Sequence, residues 1–93
     1  MDNQHRKIKG YRELSEADIA LMNRIKEAGL MLEGLVNDVR QHISEQFAVA
    51  HLGPEEIAHL NKTDPFHWTR AATDDLQVAL MKLTRAVAQP TTF

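Results

Sequence analysis

From Leu32 to Ala50 the apolar residues Leu32, Leu35, Val36, Val39, Ile43, Phe47 and Ala50 recur at 3-4 spacing. That period lines one face of an α-helix and leaves Glu33, Asp38, Arg40, Gln41 and Glu45 to the solvated faces. A second run, Trp68, Ala72, Leu76, Ala79, Leu80, Leu83 and Val87, has the same period and ends at Pro90. No stretch alternates β-branched residues, so the sequence predicts an all-α protein with no sheet. Two such helices can fold back on each other, but a chain of 93 residues has room for only one small core.

Local signals divide the chain. Residues 1–13 lack helical periodicity and read as a basic arm. Ser15 is placed to N-cap a helix with Asp18 three residues on, in the manner of a capping box, and Leu14 and Ile19 fit the flanking staple positions. Ala17, Leu21, Ile25 and Ala28 then form a stripe, and Gly29 suggests a break, giving a short helix over 14–28 and a long one over 30–50. Gly53-Pro54 starts a further segment, with Glu55 and Glu56 suited to the positive helix end. Thr63-Asp64-Pro65 repeats that grammar, with Asp64 as cap and Pro65 at the first helical position, so 54–89 reads as a long helix kinked at Pro65 or as two helices joined by a tight turn. The expected architecture is one domain: a short N-terminal helix plus an antiparallel hairpin of two long helices. A hairpin leaves each helix apolar surface to spare, and assembly into a homo-oligomer would cover it. Met22, Leu30, Met31 and Leu60 lie off the main stripes and are candidates for that surface.

Charge is unevenly spread. Residues 1–12 hold Arg6, Lys7, Lys9 and Arg12 against Asp2, a balance of plus three in a chain whose formal net charge is −2. A binder of long duplexes is usually basic throughout. A local cationic stretch fits a small anion better. Cysteine is absent, which rules out disulfides and thiolate metal sites and suits a reducing cytoplasm. No stretch approaches the roughly 20 apolar residues of a membrane span. The basic N-terminus has no apolar segment behind it, so no secretory signal is expected.

Catalytic chemistry finds little support. Ser15 and Ser44 have capping or surface roles, and the adjacent pairs Asp74-Asp75 and Glu55-Glu56 point to different helix faces. His5, His42, His51, His59 and His67 lack the spacing of a zinc site. Neither an enzyme nor a metal or other cofactor is expected. Trp68 heads an apolar stripe, which favours a core or subunit-interface role over ligand stacking. Tyr11 is different: it stands outside every stripe, beside Gly10, which lets a ligand approach the backbone, and among Lys9 and Arg12. A tyrosine face stacks on a base, and Lys and Arg pair with phosphate. From these residues alone, Tyr11 can equally pin the arm onto the helices.

The run Arg6-Lys7-Ile8-Lys9-Gly10-Tyr11-Arg12-Glu13-Leu14, followed by Met22-Asn23-Arg24-Ile25-Lys26, resembles the N-terminal half of the phage anti-CBASS cyclic-oligonucleotide sponges. Thr73, Leu76-Gln77, Met81, Leu83 and Arg85-Ala86-Val87-Ala88-Gln89-Pro90 extend the resemblance to the C-terminus. CBASS is a bacterial defence in which an infection-sensing cyclase makes cyclic nucleotides that trigger a cell-killing effector. The resemblance implies a helical homo-hexamer in the cytoplasm of the infected host. It would sequester cyclic dinucleotides such as cyclic GMP–AMP between protomers, and cyclic trinucleotides at separate sites, without hydrolysing them. It places base stacking on Tyr11 and phosphate contact on Lys26, with Lys9, Gly10 and Arg12 beside them. For the trinucleotide it points to Arg70 and Thr73. The rival reading, from the residues, is a small helical DNA-binding or adaptor protein that uses the basic arm.

Overall fold

The computed structural model describes residues 12–50 and 53–93. Within them the chain forms three helices and no strand: α1 (Glu16–Ala50), α2 (Pro54–Thr63) and α3 (Pro65–Ala88). α3 runs back along α1, as three contacts at successive heights show. Phe47 stacks on Phe66 at the tip, with ring centroids 5.6 Å apart. Gly29 faces Leu80 at mid-height. Arg12 reaches the Val87 carbonyl at the open end. This is the expected antiparallel hairpin. It measures 63 × 23 × 18 Å, and the 35 residues of α1 account for roughly 52 Å of that length.

The capping box forms as read. The Ser15 N–H donates to the Asp18 carboxylate at 2.9 Å, and the Asp18 N–H donates to Ser15 Oγ at 3.1 Å. The break expected at Gly29 does not occur. The short helix and the long helix that the sequence suggested are one continuous α1. A glycine inside a helix costs about 1 kcal/mol relative to alanine, which alone is not enough to stop it. Its use here is close approach: a Cβ on Gly29 would lie 3.3 Å from Leu80 Cδ1. Gly34 has no such neighbour, with nothing within 4 Å of an added Cβ. Gly34→Ala is therefore expected to stabilise the helix by about 0.5–1 kcal/mol, seen as a rise in the thermal unfolding midpoint.

The kink at Pro65 is a one-residue joint. The Asp64 N–H closes α2 on the Leu60 carbonyl at 3.0 Å, and Asp64 itself turns left-handed (φ 46°, ψ 60°). Pro65 disfavours the right-handed helical region for the residue before it and takes the first position of α3. The Asp64 side chain makes no capping bond, contrary to its expected role as the cap.

Very little is deeply buried. Among the described apolar residues only Ile43 (5% exposed) and Leu60 (7%) are inside. Met22 is half-buried. Leu60 and Met22 thus belong to the hairpin's own seam rather than to a spare surface. Leu30 and Met31 are indeed outward, 67% and 72% exposed. On α3 the inner row contains Thr69, Thr73, Leu76 and Leu80. Trp68, Ala72, Ala79 and Leu83, expected on the core-facing stripe, face outward. The threonines take the inner places because their hydroxyls donate to the carbonyls of Phe66 and Thr69, each at 2.8 Å. Their methyl groups are left to pack.

Candidate functional site

A groove of about 910 Å³ runs along one side of the α1–α3 seam. From α1 it is lined by Met22, Lys26, Gly29, Glu33, Val36 and Arg40, which follow one another at 4-3-4-3-4 spacing along one helix edge, and by Asn23, Ile25, Leu30, Leu32 and Asn37 beside them. The α3 edge supplies Thr73, Gln77, Leu80, Thr84 and Arg85. Leucine and valine form the floor, while Asn23, Asn37 and Gln77 offer amides at the rim. Its charged side chains are Lys26, Arg40 and Arg85 against Glu33 alone. The groove is therefore positive although the chain as a whole is −2. An apolar floor with convergent polar groups and excess cations suits a flat anionic ligand.

Lys26 is exposed on this edge, about 15 Å along the axis from the start of α1. Thr73 is half-buried in the groove wall, its hydroxyl donated to the Thr69 carbonyl at 2.8 Å. Arg70 is exposed one turn earlier on α3, outside the groove lining. Lys9, Gly10 and Tyr11 lie outside the described residues. Arg40, read from sequence as ordinary solvated surface, and Arg85 are groove cations that sequence reasoning missed. The heptad-like spacing of 26, 33 and 40 was the available signal, but only the position of α3 shows which edge faces the groove.

Arg12 is occupied. One terminal nitrogen of its guanidinium pairs with the Asp18 carboxylate at 2.8 Å, and the other donates to the Val87 carbonyl at 2.6 Å. Hydrogen bonds from Arg12 and from the Ser15 N–H hold the Asp18 carboxyl at about 2, below its ordinary 3.8. Unfolded, Asp18 binds its proton at higher pH than folded. Its contribution to stability is thus complete above about pH 4 and is lost as the pH falls towards 2. Acid unfolding followed by circular dichroism should show this slope in wild type, and a flatter one in Asp18→Asn.

A second cleft, at the tip, is lined by His42, Glu45, Glu56 and His59 among others. Among the described residues no three His, Asp or Glu side chains gather in a way that could hold a metal ion. Among the same residues no helix is long and apolar enough to cross a membrane.

No family model matches the chain. It is 39% identical to anti-CBASS protein 2 of Pseudomonas phage JBD67 across 105 aligned positions, which take in 97% of this chain and 97% of that protein.

Proposed function

Since the chain belongs to the family of phage anti-CBASS protein 2, we propose that it blocks CBASS signalling by binding and holding cyclic di- and trinucleotide messengers, such as cyclic GMP–AMP, without cleaving them. The 39% identity with the phage protein, over 97% of both chains, carries this reading. The cationic groove with an apolar floor supports it, because it offers a nucleotide both charge and flat contact area. The protein works in the cytoplasm of the infected bacterium, by stoichiometry rather than turnover.

In this reading Lys26 meets a phosphate and Tyr11 stacks on a base, with Lys9 and Gly10 alongside. The pocket is shared, the arm of one protomer facing α1 of another in a homo-hexamer. Support for assembly comes from the apolar side chains the hairpin leaves outside, among them Leu30, Met31, Leu35, Trp68 and Met81. A cyclic dinucleotide is nearly twofold symmetric, and a twofold axis between protomers would present each half with the same residues. Arg70 and Thr73, one turn apart on α3, would serve the threefold trinucleotide in the same way.

The test is recovery of the ligand. Protein is mixed with cyclic GMP–AMP until free nucleotide is depleted, then denatured by heat, and the released nucleotide is identified by chromatography. Intact cyclic GMP–AMP is expected. A linear product would make the protein an enzyme, and failure to deplete any cyclic oligonucleotide would remove the sponge reading altogether.

A further inference from the structure

Gly29 faces Leu80 across the seam. From that level Lys26 lies three residues towards the open end on α1, and Arg85 lies five residues the same way on α3. At about 1.5 Å per residue their backbones differ in height by only about 3 Å. Each stands on its own helix, both side chains line the same groove, and both are exposed. Packed helix axes run about 8–10 Å apart, so two long side chains from facing walls can close on one anion. The other charged groups of the groove lie further along it. Glu33 is about 10 Å from Lys26 down the axis of α1, and Arg40 is about 21 Å away. Lys26 and Arg85 therefore pair across one end of the groove.

Arg85 is fixed at its base and lightly held at its tip. Its carbonyl accepts the Gln89 N–H at 2.8 Å, which closes α3. Gln89 turns left-handed (φ 52°, ψ 55°), and the chain beyond it brings the Thr92 carbonyl to the guanidinium at 3.1 Å. That carbonyl is neutral, so it orients the fork without cancelling its charge. A phosphate offers the same nitrogens two oxygens and a negative charge, and such charge-assisted, bidentate contacts are the stronger kind.

We propose that Arg85 is a second phosphate contact of the cyclic dinucleotide site, across the groove from Lys26, and that binding draws its guanidinium off the Thr92 carbonyl. In a twofold pocket each phosphate of the ring is gripped from opposite walls by one lysine and one arginine. The inference rests on the cyclic-nucleotide reading above.

Calorimetry with cyclic GMP–AMP on the intact protein reads the contact. Arg85→Ala should weaken binding by about tenfold or more, with the helical circular dichroism unchanged because the side chain is exposed. Two further variants separate the contact from its rivals. Lys82→Ala removes the same charge from the exposed surface of α3, outside the groove lining, and should bind as wild type. A loss equal to that of Arg85→Ala would mean that general charge, not a contact, draws the ligand. Thr91→Gly combined with Thr92→Gly loosens the tail while keeping Arg85, and should also bind as wild type. An equal loss there would mean that Arg85 acts only by holding the tail. Release of Phe93 by a carboxypeptidase should quicken when cyclic GMP–AMP is added to wild type, because Arg85 then lets go of Thr92. Unchanged affinity in Arg85→Ala, unchanged release of Phe93, or either rival result overturns the proposal. Wild type that binds no cyclic GMP–AMP removes the functional reading and this contact with it. Wild-type binding with Arg85→Ala unaffected removes the contact alone.

Discussion

Tyr11→Ala and Lys26→Ala are each expected to weaken cyclic dinucleotide binding by roughly a hundredfold or more while the helical fold persists. Stacking contributes about 1–3 kcal/mol per base, and a symmetric ligand meets two copies of Tyr11. A hydrogen bond to a charged group contributes about 1.5–3 kcal/mol, and Lys26 would also act twice. Doubling turns a modest contact into one that decides the affinity, so single substitutions should behave as double ones. Lys26 is exposed on α1, and its truncation takes nothing from the seam. Isothermal titration of both variants with cyclic GMP–AMP reads the loss, and circular dichroism checks the fold. If both variants bind like wild type, the ligand sits elsewhere than at the arm and α1.

Ile43→Ala is expected to lower stability by about 2–5 kcal/mol, the range for removing a buried aliphatic side chain. Ile43 is the most buried apolar residue described, at 5% exposure, and no large side chain among the described residues is completely enclosed. Domains of this size have little stability in reserve, so most of the cooperative unfolding transition should disappear. Met81→Ala provides the contrast, because Met81 is 69% exposed on the hairpin. Within a single hairpin its loss costs little. A large, concentration-dependent destabilisation in Met81→Ala would instead report that the residue is covered by another copy. Urea unfolding at two protein concentrations separates the cases.

The elements governed by near neighbours in sequence were legible. Ser15 and Asp18 announced their reciprocal cap, and Asp64-Pro65 announced the joint, because both depend on residues within one turn. The antiparallel hairpin followed from two stripes and a short connection. Gly29 was misread because its role depends on Leu80, 51 positions away, which no local rule can see. The α3 stripe was partly misassigned for a different reason. Thr69 and Thr73 count as polar in a pattern, yet with their hydroxyls donated to the backbone they pack as small apolar groups. At the site, Lys26 and Thr73 do lie along one groove, whereas Arg70 lies outside its lining and Arg12 turns to the protein itself. Arg40 and Arg85 escaped notice because a helix period says which residues share an edge, not which edge a partner helix will overhang.

The contacts that hold the hairpin are spaced so that sequence separation grows steadily from tip to open end: Phe47 with Phe66, Gly29 beside Leu80, Arg12 with Val87. Closing a short loop loses less chain entropy than closing a long one, and each closure shortens the effective loop for the next. The molecule is therefore built to zip from the stacked phenylalanines towards the termini, with the Arg12 bond formed last and opened first. The open end can therefore loosen and re-form while the tip stays folded.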